Sequence, residues 1–157
     1  MAHTKTNAMR ILDSAGVSYK QHDYHSEGFI DGVTVAHKVG MPPDQVFKTL
    51  VAQGASRAYY VFVIPVEKEL NLKAAAKAVG EKSVEMIKVA DITKVTGYVR
   101  GGCSPIGMKK TFRTVIDRAC EAFDSVLVSA GKLGAQIELS PADLCRIVPC
   151  ELSDITV

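Results

Sequence analysis

A lysine interrupts one of the two strongest strand signals in this chain. In residues 45–53, QVFKTLVAQ, side chains alternate between two faces, so Phe47, Thr49 and Val51 share one and Val46, Lys48, Leu50 and Ala52 the other. A lysine among apolar neighbours costs free energy unless its ammonium reaches water, an anion or a cavity. Two readings follow. Lys48 either snorkels from an edge strand, which this feature alone favours, or stands at the floor of a pocket as a cation for a phosphate or a polarised carbonyl.

A second candidate is residues 96–110, TGYVRGGCSPIGMKK, with four glycines, a proline and three cations. Glycine admits left-handed backbone and close approach of a ligand, and proline fixes a turn. The segment matches neither the P-loop pattern GxxxxGK[ST] nor GxGxxG. Its Gly-Gly-Cys-Ser-Pro run could present successive backbone N–H groups to an anion. Cys103 lies inside it, where cationic surroundings would favour a thiolate. No histidine is near in sequence, however, so pairing with His22, His25 or His37 would depend on the fold, and a passive small residue fits better. Residues 129–141, SAGKLGAQIELSP, turn at Gly131 and Gly134; they form a plain hairpin or a second backbone wall facing the first loop. His22 and His25, three apart on a strand, point to opposite faces and make a poor metal pair. No carboxylate pair or Ser-His-Asp arrangement stands out.

The 157 residues fit one domain, 1–157, with enough core to fold without staples. An apolar fraction of 47% against 23% charged residues excludes extensive disorder. No run approaches the ~20 residues that span a bilayer, and residues 1–7 lack the apolar stretch of a signal peptide. The expectation is a cytoplasmic protein without membrane contact. Its four cysteines, Cys103, Cys120, Cys145 and Cys150, have no zinc-ribbon spacing and read as free thiols. The net charge of +2 is too small for bulk attraction to nucleic acid. Arg100, Lys109, Lys110, Arg113 and Arg118 nevertheless cluster in and after the glycine-rich segment, as a phosphate-holding group or a solvated face.

These residues must be held by elements that the pattern predicts. Helices are expected at 6–15, ended by Gly16; at 31–39, ended by Gly40 and Pro42-Pro43; at 72–79, capped by Asn71 and closed by Gly80; in a short turn from Asp91 to Gly97; and after Ser140-Pro141. Strands are expected at 17–24, at 45–53 and 58–65 joined by a hairpin, and within SVEMIKV, FRTVID, SVLVS and AQIELS. The tail ELSDITV could return to the sheet. Helices and strands mixed in this order, with one hairpin and several crossovers, indicate a mixed α/β (α+β) domain.

Four segments together, DQVFKTLVA, LNLKAAAKAVGEKSVEM, VTGYVRGGCSPIGMKK and VSAGKLGAQIEL, resemble in order and spacing the YbaK/EbsC family, related to the editing domain of bacterial prolyl-tRNA synthetases. The likeness covers nearly the whole chain and is closest to the YbaK branch, the Cys-tRNA(Pro) deacylases. It implies a curved mixed sheet with flanking helices around a crevice, and trans-editing that removes cysteine from Cys-tRNA(Pro), and also Cys-tRNA(Cys), through attack by the substrate's own thiol. It calls for no cofactor and no metal. The alternatives are an Ala-tRNA(Pro) deacylase that uses water, or a non-catalytic module that binds a nucleotide or aminoacyl ligand. The implied partners are aminoacyl-tRNA, through its acceptor end, and prolyl-tRNA synthetase. The implied catalytic residues are Lys48, Gly101 and Tyr24. Gly102, Ser104, Pro105, Ser129, Gly131 and Gln136 would contact substrate. Relatives can carry an aspartate where this chain has Gln136, which weighs against a general base there. An aliphatic residue is frequent at the Cys103 position, which weighs against a nucleophile.

Overall fold

The structure, a computed structural model, describes residues 5–157. Helix α1 (Asn7–Ser14) begins at Thr6, whose Oγ accepts from the Met9 N–H, and it buries Ala8, Met9 and Leu12. Strand β1 (Lys20–Asp23) follows, then helix α2 (Gly32–Val39) and the hairpin of β2 (Phe47–Gly54) and β3 (Tyr59–Pro65). Next come helix α3 (Leu72–Val79), strand β4 (Val84–Met86), helix α4 (Ile92–Thr96) and strand β5 (Arg113–Asp117). The chain ends with β6 (Val126–Ser129), β7 (Ala135–Leu139), α5 (Pro141–Ile147) and β8 (Cys150–Ser153). Side chains of Asp31, Asn71 and Ser140 cap α2, α3 and α5 by accepting from Thr34, Ala74 and Asp143 N–H groups.

Several elements are shorter than their sequence patterns. The strand expected at 17–24 is confined to Lys20–Asp23, because β7 offers it partners only from Ala135 to Glu138. Val17 instead donates its N–H to Leu12 O and is buried against the core. The helix expected from Asp91 starts at Ile92 after a 3-10 turn, Val89–Asp91, and the Asp91 side chain caps nothing.

The strands divide between two sheets. One has the antiparallel order β1-β7-β6; the other has the order β4-β2-β3-β5-β8, antiparallel through β4-β2-β3 and parallel from β3 to β8. They meet where β2 begins. Val46 bridges Leu127 in parallel, Leu127 N–H donates to Gln45 O at 3.1 Å, and Val66 N–H to Val46 O at 2.8 Å. The main core lies between the sheets, with Phe47, Val51, Val61, Val63 and Ile116 facing Val126, Val128, Ala135 and Ile137. On the outer face of the large sheet, α3 covers Ala52, Phe62, Ile64 and Val115. On the second face of the small sheet, α2 packs Ala36 against Val46, Val66 and Leu127. The crevice opens beside that last contact.

Candidate active site

Strand β4 pairs with β2 only from Ala52 to Gly54, so the first half of β2 has no neighbour on that side. A cavity of about 580 Å³ occupies the gap, within the size range of small-molecule sites. Its walls are the start of α2 (Asp31, Gly32, Val33), β2 from Val46 to Val51, the segment Met86, Ile87 and Val89, the loop residues Arg100, Gly101 and Cys103, and Ser129 and Gln136 of the small sheet. Lys48 is therefore on an internal strand yet borders open space. Burial lowers its pKa, and the Glu69 carboxylate partly opposes that shift. A cation with its water partly stripped is held ready for an anionic or strongly polar ligand.

The glycine-rich loop is tied off at its base, where Lys109 N–H donates to Thr96 O. Thr96 Oγ accepts from Tyr98 N–H, and the Tyr98 hydroxyl donates to Ile106 O at 2.5 Å across the loop. Two of its glycines answer to distinct constraints. Gly101 has φ 84°, and a Cβ there would lie 2.8 Å from Leu133 Cδ2 and 3.2 Å from the Phe29 ring. At Gly102 a Cβ would come within 3.1 Å of the Lys132 backbone. The loop is thus pressed against the turn that follows β6, the second backbone wall that the sequence allowed. Above it the Arg100 guanidinium stacks 3.9 Å from the Phe29 ring centroid, at the cavity rim.

Of the residues singled out from sequence, Lys48, Gly101, Ser129 and Gln136 share the cavity. Ser129 Oγ accepts from Gly131 N–H, and Ser129 is register partner to Gln136. Gln136 is 5% exposed, and its Oε1 has no hydrogen-bond partner among the described residues. Tyr24 is outside the lining; its N–H continues the β1–β7 ladder to Gly134 O. Gly102, Ser104 and Pro105 are buried within the loop and away from the lining, with Ser104 Oγ accepting from Ile106 N–H. Gly131 also lies off the lining, and a Cβ there would meet the Tyr98 ring at 3.1 Å.

Burial argues against a thiolate at Cys103, in line with a passive small residue: it pushes the thiol up to about 11, so it stays protonated at neutral pH. His22 bonds Glu138 and His25 pairs with Glu27, and among the described residues no group of three His, Cys, Asp or Glu side chains could hold a metal. Arg113 and Arg118 leave the loop's cation cluster: they pair with Glu151, and with Glu121 and Asp154.

Residues 31–147 match the model of the aminoacyl-tRNA editing domain. The chain belongs to that family. Over 153 residues the chain is 43% identical to an Enterococcus faecalis (strain ATCC 700802 / V583) protein, EbsC, provisionally named a Cys-tRNA(Pro)/Cys-tRNA(Cys) deacylase; the match spans 97% of this chain and 93% of the relative. The fold is similar to the crystal structure of a protein provisionally named a trans-editing enzyme for prolyl-tRNA synthetase, with TM-score 0.84, 20% identity, and 98% and 99% of the two chains covered. It is also similar to the crystal structure of a hypothetical protein, with TM-score 0.86, 22% identity, and 94% and 97% covered. No helix among the described residues is long and apolar enough to cross a membrane.

Three residues of the editing domain's crevice went unread in the sequence. Phe29 arrives from a segment with no pattern of its own, and Asp31 was legible only as the start of the helix at 31–39, not as a wall of the crevice. Thr49, whose Oγ1 is buried without a partner among the described residues, did carry a signal: it is the polar residue between Phe47 and Val51 on an otherwise apolar strand face.

Proposed function

We propose that this chain is a trans-editing deacylase that removes cysteine from Cys-tRNA(Pro), and from Cys-tRNA(Cys), by substrate-thiol-assisted cyclisation. The observation that carries the reading is a cavity fit for an aminoacyl end whose lining offers charge and polar contacts but no activated nucleophile. The Cys103 thiol is held protonated, and the Ser129 hydroxyl already accepts from Gly131 N–H. The printed name of the 43% identical relative points to the same substrates.

In this reading the cysteinyl sulfur attacks its own ester carbonyl. The S–C bond forms, the C–O bond to the terminal ribose breaks, the thiol proton ends on the departing ribose oxygen, and a cysteine thiolactone leaves. The protein then has three tasks. It folds the side chain onto the ester, a proximity effect. It steadies the developing oxyanion, for which Gly101 N–H is the assigned donor, since Gly102 N–H is committed to Val99 O. It neutralises the polarised carbonyl or the terminal phosphate, the task assigned to Lys48. Gln136 Oε1, an orphaned acceptor, receives the substrate's α-ammonium; a buried acceptor left empty costs about 1–3 kcal/mol. Tyr24, Gly102, Ser104, Pro105 and Gly131 support the two loops and β1 without touching the ligand. Cysteine and proline are close in size, so a synthetase pocket separates them poorly and a second site supplies the discrimination. Prolyl-tRNA synthetase is the proposed partner that delivers the tRNA.

Deacylation of Cys-tRNA(Pro), Ala-tRNA(Pro) and Ser-tRNA(Pro) by wild type and Lys48→Ala tests this. Rapid loss of cysteine alone, with kcat/KM reduced about 100-fold by the substitution, is the expected result. Preferential loss of alanine would transfer the protein to water-using editing. Binding of aminoacyl-tRNA with no cleavage of any ester would make it a binding module.

A further inference from the structure

At the β8 edge of the large sheet, the end of α5 and the start of β8 bring two sulfurs together. Cys145 sits in the last turn of α5, and Val148 leaves helical geometry at φ −113° and ψ 99°. Pro149 then turns the chain, and Cys150 enters β8 opposite Thr114. The Cys150 thiol donates to Cys145 Sγ at 2.9 Å, closer than two unbonded sulfurs ordinarily pack. Both ends are fixed, one by Val148 N–H on Leu144 O at 2.8 Å and the other by the β5 ladder.

We propose that Cys145 and Cys150 are a reversible dithiol–disulfide site, separate from the editing crevice. Both residues are partly exposed, whereas Cys120, the third cysteine of this region, is fully buried. None of the three lines the cavity, and they do not form a metal-holding group. Donation from Cys150 lowers the Cys145 pKa and marks it as the attacking sulfur. Burial, followed by the neighbouring Cys145, pushes Cys120 up to about 11 and leaves it inert. With a hydroperoxide as oxidant, Cys145 thiolate takes the terminal oxygen and releases the alcohol or water. Cys150 then attacks the resulting sulfenic acid and expels water. A dithiol reductant reverses the link by exchange through a mixed disulfide. The two positions are only five residues apart, so the closed loop constrains the unfolded chain little, as suits a bond made and broken in the folded state.

Trypsin would place every cysteine in its own peptide: Cys103 in 101–109, Cys120 in 119–132, Cys145 in 133–146 and Cys150 in 147–157. The folded full chain is treated with hydrogen peroxide, alkylated with iodoacetamide, digested without reductant and analysed by mass spectrometry. The expected result is a 133–146/147–157 linked pair, 2 Da lighter than its components, abolished by dithiothreitol and absent from Cys145→Ser. Alkylation of both thiols after peroxide, a link through the Cys120 peptide, or sulfinic acid at Cys145 without a link would each overturn the assignment.

Discussion

Gln136 and Cys103 line the same crevice with opposite claims to chemistry. The amide oxygen of Gln136 is buried and unpaired, a standing cost that a ligand donor would relieve. Gln136→Leu, similar in bulk, should reduce binding of a cysteinyl-adenosine analogue about 10-fold while sparing thermal stability; isothermal titration beside a melting curve would separate the two. Cys103→Ala should leave Cys-tRNA(Pro) deacylation within about twofold, under 0.5 kcal/mol of barrier, because its thiol stays neutral up to about 11. A large loss would restore the nucleophile reading. Lys48 adds a pH dependence of known sign. Its folded pKa lies below 10.5, so the ammonium is lost at lower pH than that of an ordinary lysine, and affinity that needs the charge declines as pH rises through that folded value. Lys48 was legible from sequence because a cation breaks strand alternation within a few residues. The crevice partners Phe29 and Arg100 were not, because their stacking joins segments about seventy positions apart.

At the scale of elements, the two loops beside the cavity form one unit whose separation is set by glycines. Gly101→Ala would force a Cβ into left-handed backbone and against Leu133 and Phe29. Its expected cost is about 1–2 kcal/mol in urea unfolding, with a greater proportional loss of deacylation as the loop lifts from the turn. The helix boundaries that frame this unit could be read locally, since Thr6, Asp31, Asn71 and Ser140 each cap within three residues. The division into two sheets could not. It depends on the Val46–Leu127 bridge, a contact spanning half the chain that no periodicity encodes. The same non-local logic holds β1 in place, where Glu138 accepts from His22 at 2.8 Å and also receives the Ser125 hydroxyl. The Ser125 hydrogen bond, above all, lowers the Glu138 pKa. That contribution is present above 4.5 and disappears as pH falls through the folded value, so Glu138→Gln should flatten the acid side of the stability profile.

For the molecule as a whole, charge decides how much of a tRNA this small domain can hold by itself. Of the cations that the sequence clusters around the loop, Arg113 and Arg118 are engaged on the β5–β8 edge. Exposed Arg100, Lys109 and Lys110 remain there, with Lys132 in the facing turn. Four phosphate contacts from these cations would give a salt slope of about −3 to −4 in a log–log plot of tRNA affinity against monovalent salt. Arg113→Gln should leave that slope unchanged while lowering stability by no more than about 1 kcal/mol, since its ion pair with Glu151 is half exposed. Arg100→Gln and Lys132→Gln should each reduce it by about one. So shallow an electrostatic grip leaves affinity to be found elsewhere, which is the physical case for delivery by a synthetase already holding the acceptor stem. A gel-shift titration of tRNA(Pro), prolyl-tRNA synthetase and this chain should therefore yield a ternary species at concentrations where the chain and tRNA alone form no complex. If the two-component complex forms as readily as the three-component one, the cations suffice and the partner is unnecessary.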